Sequence, residues 1–155
     1  GEAKFELSRY EEAIKDFNEA IKLDPKDHKA VCCRGCAMYE LGKYKEAIED
    51  YNLAIKFNSK DAIYFNNRGE AKFELSRYEE AIKDFDEAIK LNPQKPTYFY
   101  NRGVAKGEKG DHIEALQDFK KATIKYKIKI NPDKDDYEIT KQKVINVFFR
   151  KRNKI

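Results

Sequence analysis

The chain has no tryptophan, one methionine, four prolines, two histidines and three cysteines, and each scarcity excludes something. Cys32, Cys33 and Cys36 are odd in number and crowded together. They cannot frame a disulfide-stapled secreted domain, and they fit a reducing compartment. No apolar stretch approaches the ~18 residues of a spanning helix, and no charged-then-apolar leader opens the chain. A cytoplasmic location is the default expectation. The histidines carry no catalytic pattern: His28 and His112 fall at unlike repeat positions with no nucleophile motif beside either. Gly103, Gly107 and Gly110 lie in and after a helical pattern, where a phosphate-cradling loop would follow a strand. Asp133 and Asp135 lack the glycine and distal glutamate of a calcium loop. The pairs Glu11-Glu12 and Glu79-Glu80 read as solvated helix starts. Nothing here points to catalysis or to a cofactor.

What is present is charge and aromatic surface. Of 155 residues, 39% are Asp, Glu, Lys or Arg, with 10 Tyr and 10 Phe, against a usual charged share of about 25%. The net charge of +4 is an average of unlike parts. Residues 1–119 carry 20 basic against 24 acidic side chains, whereas residues 120–155 carry 12 against 4. An acidic body precedes a basic tail.

Internal repetition organises everything else. Gly1–Phe17 recurs letter for letter as Gly69–Phe85, an offset of 68, and half that offset aligns four copies. The 34-residue step superposes Gly1, Gly35, Gly69 and Gly103; Ala13, Ala47, Ala81 and Ala115; and Phe17, Tyr51, Phe85 and Phe119. Each copy reads as two helices. In the second, Ala81, Ile82, Phe85, Ala88 and Ile89 form an apolar stripe, with Glu79, Glu80, Lys83, Asp84 and Lys90 expected to face water. The first, about 64–75, ends at Ser76-Arg77, where sister copies carry Gly42 and Gly110. Small residues at 35/69/103 and 47/81/115 let two helix backbones approach. The aromatic at 51/85/119 fills the wedge beside them.

A 34-residue helix-turn-helix unit with small residues at its eighth, twentieth and twenty-seventh positions resembles the tetratricopeptide repeat family. The resemblance implies an all-α, right-handed α-solenoid and a non-catalytic protein-interaction scaffold. The units expected are a partial one at 1–27, starting within a first helix, then 28–61, 62–95 and 96–130, the last with an extended second helix. The pattern departs from the family at the seventh position, where the usual Leu is Arg34, Arg68 and Arg102. A chain that opens inside a unit is expected to be a piece of a longer protein, and its unfinished helical end to favour self-association. After Asn131-Pro132, an amphipathic stretch containing Tyr137, Val144, Ile145, Phe148 and Phe149 is expected to form a basic C-terminal capping helix within 131–155.

In this family the first helices line a concave binding face. Transferring its groove positions implies a lining of Phe5, Glu6, Cys32, Cys36, Tyr39, Glu40, Asn66, Glu70, Phe73, Glu74, Tyr100, Val104 and Glu108. Asn67 and Asn101 occupy the sixth position, where members use amides to hold a ligand's main chain; bridging between neighbouring helices is an equal alternative. Acidic and aromatic residues dominate this lining. They suit a peptide in which Lys or Arg alternates with apolar groups. The Lys and Arg set with which one subclass grips a C-terminal carboxylate is missing. The cysteines read best as small buried or groove-facing hydrophobes: His28 and Cys36 are about 12 Å apart along a helix, too far to share one ion with Cys32. The rival functional feature is the basic tail, which would bind an anionic partner or a second copy's acidic groove. No stacking platform accompanies it, so nucleic acid is disfavoured.

Overall fold

The computed structural model describes residues 2–129, and side chains from Ser8 to Lys125. Seven helices and no strand occur among them: α1 (Glu2–Leu23), α2 (His28–Glu40), α3 (Tyr44–Phe57), α4 (Ala62–Glu74), α5 (Tyr78–Leu91), α6 (Pro96–Lys109) and α7 (His112–Lys129). The fold class is all-α, of the helical-repeat type. No described helix is long and apolar enough to cross a membrane. The chain divides into two compact units, the first ending at Pro93 and the second beginning at Gln94. The capping helix expected within 131–155 lies outside the described residues.

The first unit is built by neighbour-on-neighbour packing: α1 on α2, α2 on α3, α3 on α4 and α4 on α5. Asp27 caps α2 by accepting from the Lys29 and Ala30 amides at 2.9 and 3.0 Å, and Asp61 caps α4 by accepting from Ile63 at 3.0 Å. Each satisfies donors that a helix start leaves orphaned. Between α2 and α3, Gly42 takes a left-handed φ of 73°, and between α4 and α5 Ser76 takes one of 58°. The turns close alike, with Lys43 N donating to Met38 O and Arg77 N to Lys72 O, both at 2.9 Å. These are the reversed-chain helix ends that glycine fills most readily. The core comprises Val31, Cys32, Ala47, Ile48, Tyr51, Ala54, Tyr64 and Ala71.

Gly35 and Gly69 show why the eighth position is small. A Cβ built on Gly35 would lie 2.9 Å from Tyr51 Cε1, and one on Gly69 would lie 2.7 Å from Phe85 Cε1. The ring of the second helix rests directly on the backbone of the first. In the second unit, α6 and α7 repeat the arrangement: Gly103 faces Phe119 at 2.9 Å, and Gly110 makes the turn at φ 104°. Here α7 runs unbroken through Lys129.

Two features differ from expectation. Asp84 does not face water: it is 4% exposed, as its counterparts Asp50 and Asp118 are also buried. Arg68 donates to it through Nε at 2.9 Å and Nη2 at 2.6 Å, and Lys72 Nζ lies 2.7 Å from its other side. Arg34 holds Asp50 with the same fork, at 2.8 and 2.6 Å, and Arg102 holds Asp118 likewise. The arginines that replace the family's leucine are therefore one half of a buried, bidentate pair repeated with the unit. Each also reaches back within the first unit: Arg34 Nη1 donates to Asn18 at 2.8 Å, and Arg68 Nη1 to Asn52 at 2.7 Å.

The second difference is in the first copy, which is not a helix pair. Leu7-Ser8-Arg9 stays helical inside the 22-residue α1, although the same letters at Leu75-Ser76-Arg77 make a turn. The turn costs about 1–2 kcal/mol for a left-handed serine. In the later copy this is offset by packing α4 against α2, α3 and α5.

Candidate functional site

In the first unit, α2 and α4 present the residues expected to line a groove. Their spacing follows from the helix: Cys32, Cys36 and Glu40 recur every four residues on α2, as do Asn66, Glu70 and Glu74 on α4. Cys32 and Asn66 are buried at the base; Cys36, Asn67, Glu70, Tyr39 and Phe73 are half-buried; Glu40 and Glu74 are exposed at the edge. The polarity thus grades from a closed floor to an acidic rim.

Tyr39 is the point on which this surface converges. Its ring meets Tyr44 edge-on at 5.2 Å between centroids, and Phe73 makes the equivalent contact with Tyr78 at 5.4 Å. The start of each second helix therefore fixes the aromatic ring that ends the first. Burial pushes the Tyr39 phenol well above its ordinary pKa, and the carboxylates of Glu74, Glu70 and Glu40, with Tyr44, push it further. Negative charge from two helices thus bears on one half-buried ring.

Behind the rim lies a sulfur-centred network. Asn67 Nδ2 donates to Cys36 Sγ at 3.4 Å and reaches Cys32 Sγ at 3.9 Å, and Tyr51 OH donates to Cys36 Sγ at 3.5 Å. Asn66 Nδ2 donates to Glu70 Oε1 at 3.1 Å. His28 Nδ1 and Tyr64 OH, 2.6 Å apart, pin the start of α2 to α4. Asn67 here bridges two helices, one of the two roles its position allowed. The sulfur contacts of Tyr51 and Asn67 carried no signal in the sequence, because they depend on how α3 and α4 pack on α2. The Arg–Asp forks did carry one: Arg34, Arg68 and Arg102 each precede an Asp by 16 residues.

The second unit carries the remaining expected residues. Tyr100, Val104 and Glu108 follow at steps of four on α6, all half-buried, as is Asn101. The Tyr100 ring packs on the wedge residue Phe119 at 5.6 Å. The side chains of Phe5 and Glu6 lie outside the described residues. Among the described residues no cluster of three His, Cys, Asp or Glu side chains could hold a metal ion.

A family model described as TPR repeat matches three overlapping stretches, residues 1–42, 35–76 and 69–110. None of the curated proteins matches the chain. Among solved structures, the second TPR of Spaghetti (RPAP3), bound to the HSP90 peptide SRMEEVD, is 34% identical at a TM-score of 0.62. The match covers 68% of this chain and 97% of that one. MamA residues 41 to the end, from Desulfovibrio magneticus RS-1, match at TM-score 0.73 and 24% identity over 77% of this chain and 68% of theirs. The Arabidopsis OM64 TPR domain matches at 0.65 and 24%, over 77% and 94%.

Proposed function

The chain belongs to the tetratricopeptide repeat family, and from that premise we propose that it is a non-catalytic interaction scaffold whose α2–α4 surface binds a basic, partly apolar peptide. The observation that carries this reading is the negative charge of Glu40, Glu70 and Glu74 acting on the half-buried Tyr39 ring, all on α2 and α4. A Lys or Arg side chain placed there gains both the carboxylates and the ring face. Phe73 is the further apolar anchor of this surface. The second unit carries its own expected set, Tyr100 as an apolar anchor with Asn101, Val104 and Glu108.

The solved relative holding SRMEEVD supports peptide binding as such and sets a second reading, an acidic C-terminal tail. The side chains here favour the first. The fifth and ninth positions carry Cys32 and Cys36, or Asn66 and Glu70, and Lys72 is committed to Asp84. Fluorescence titration with a peptide alternating Arg and Leu, against SRMEEVD, separates the two. Tighter binding of the Arg-Leu peptide, weakened by salt and by Glu70→Gln/Glu74→Gln, supports the proposal; tighter binding of SRMEEVD overturns it. The rival use of the basic segment 120–155, docking on an anion or on a second copy's acidic surface, predicts a salt-sensitive dimer in light scattering. A monomer at low and high salt removes the self-docking form.

A further inference from the structure

Three thiols sit within little more than one turn of α2, and their surroundings are not alike. Cys33 is exposed, Cys32 is buried, and Cys36 is half-exposed between them in access. Two donors reach the Cys36 sulfur from neighbouring helices: the Tyr51 hydroxyl from α3 at 3.5 Å and the Asn67 amide from α4 at 3.4 Å. The orientation of the Asn67 amide is fixed from its other end. Asn66 Nδ2 approaches Asn67 Oδ1 at 3.5 Å, which turns the NH2 group toward the sulfur atoms. A neutral thiol is a poor acceptor, whereas a thiolate is a strong one, so two donors aimed at one sulfur stabilise its charged form. Against this stand burial and the Glu70 carboxylate, the charged group facing Cys36 from α4. The balance favours the charged form: the neighbouring Cys32 thiol foremost, then the Tyr51 and Asn67 donors, hold the Cys36 thiol below its ordinary range. Its neighbours move the other way. The hydrogen bond to Cys36 and burial raise Cys32, and burial raises Cys33.

We propose that Cys36 is a modification site, a thiolate at the groove surface that reacts selectively with hydroperoxides. The Cys36 proton is released to solvent, and a sulfur lone pair attacks the outer peroxide oxygen. An S–O bond forms as the O–O bond breaks. Sulfur is oxidised by two electrons, and the peroxide is reduced to an alkoxide or hydroxide that takes a proton from water. The product is the Cys36 sulfenic acid. Cβ atoms three or four residues apart on a helix are ~5–6 Å apart, whereas a disulfide needs about 3.5–4.5 Å. An intact α2 therefore disfavours closure onto Cys32 or Cys33. The sulfenic acid persists until a thiol from solution condenses with it, releasing water and leaving a mixed disulfide.

The test does not use a peptide ligand, so its outcome is independent of the groove's preferred partner. The full chain is pulsed with limiting iodoacetamide from pH 5.5 to 9 and, separately, treated with hydrogen peroxide in the presence of dimedone. Each cysteine is then read by peptide mass mapping. Cys36 is expected to alkylate at least about tenfold faster than Cys33 at pH 7 and to carry the dimedone adduct. Its pH–rate midpoint should lie below the ~8.5 of a free thiol. Tyr51→Phe, which removes only the hydroxyl donor, should move that midpoint upward with helicity unchanged by circular dichroism. Asn67→Ala provides the same test from α4 should Tyr51→Phe not fold. Labelling of Cys33 as fast as Cys36 at pH 7, or a Cys36 midpoint at or above 8.5, overturns the proposal.

Discussion

At Gly69 a methyl group has no room. The nearest atoms belong to the Phe85 ring, which is 1% exposed and cannot swing aside. Gly69→Ala should therefore cost about 1–3 kcal/mol by overpacking, and Phe85→Ala about 3–5 kcal/mol by leaving a cavity. Both are read from urea unfolding; an unchanged midpoint for either contradicts the wedge packing. Ser76 offers the opposite sign. It is the described non-glycine residue with positive φ, where Gly42 and Gly110 serve the sister turns. Ser76→Gly should stabilise by roughly 1 kcal/mol through relief of left-handed strain, and a loss of stability would show that the serine side chain matters more than its backbone.

Among elements, the repeated Arg–Asp forks decide more than surface ion pairs do. Arg68→Leu restores the family's usual residue but leaves Asp84 buried with Lys72 alone, so it should destabilise by about 3 kcal/mol. Arg68→Leu combined with Asp84→Ala should recover most of that loss, which a thermodynamic cycle measures. Asp118 extends the argument to pH. Burial alone would raise its pKa, but the hydrogen bonds and charges of Arg102 and Lys106 outweigh burial and hold it below the ordinary carboxylate value. A carboxylate with a depressed folded pKa contributes stability above the unfolded value, ~3.9, and loses it as pH falls through the folded one. The difference in melting temperature between wild type and Asp118→Asn should be constant from pH 5 to 8 and shrink below about pH 4. A difference growing toward acid would reverse the assignment. These forks also mark the limit of what was legible. Glycine, alanine and aromatic positions declared themselves because steric need repeats with the unit. Asp84 was misassigned because hydrophobic periodicity places every carboxylate outside, and only its 16-residue spacing from Arg68 could have signalled a pair. Nor could letters separate α1 from α4–α5, whose sequences agree over 17 residues. Their difference lies in what each can pack against.

For the whole molecule, membership of the repeat family settles the scaffold and leaves the partner to the chemistry of the surface. The expected lining was partly legible, since residue types at fixed unit positions name an acidic and aromatic face. The half-buried Cys36, its two donors and the bridging role of Asn67 emerged only from the packing of α3 and α4 on α2. In the proposed binding mode, Tyr39 and Phe73 anchor a basic-apolar peptide on the first unit. The most direct test is fluorescence titration of an alternating Arg-Leu peptide against wild type and Tyr39→Ala/Phe73→Ala, with helicity and melting temperature recorded for both. The double variant should lose at least about tenfold in affinity, equivalent to ~1.4 kcal/mol, with the fold retained. Equal affinity in a folded double variant would contradict it.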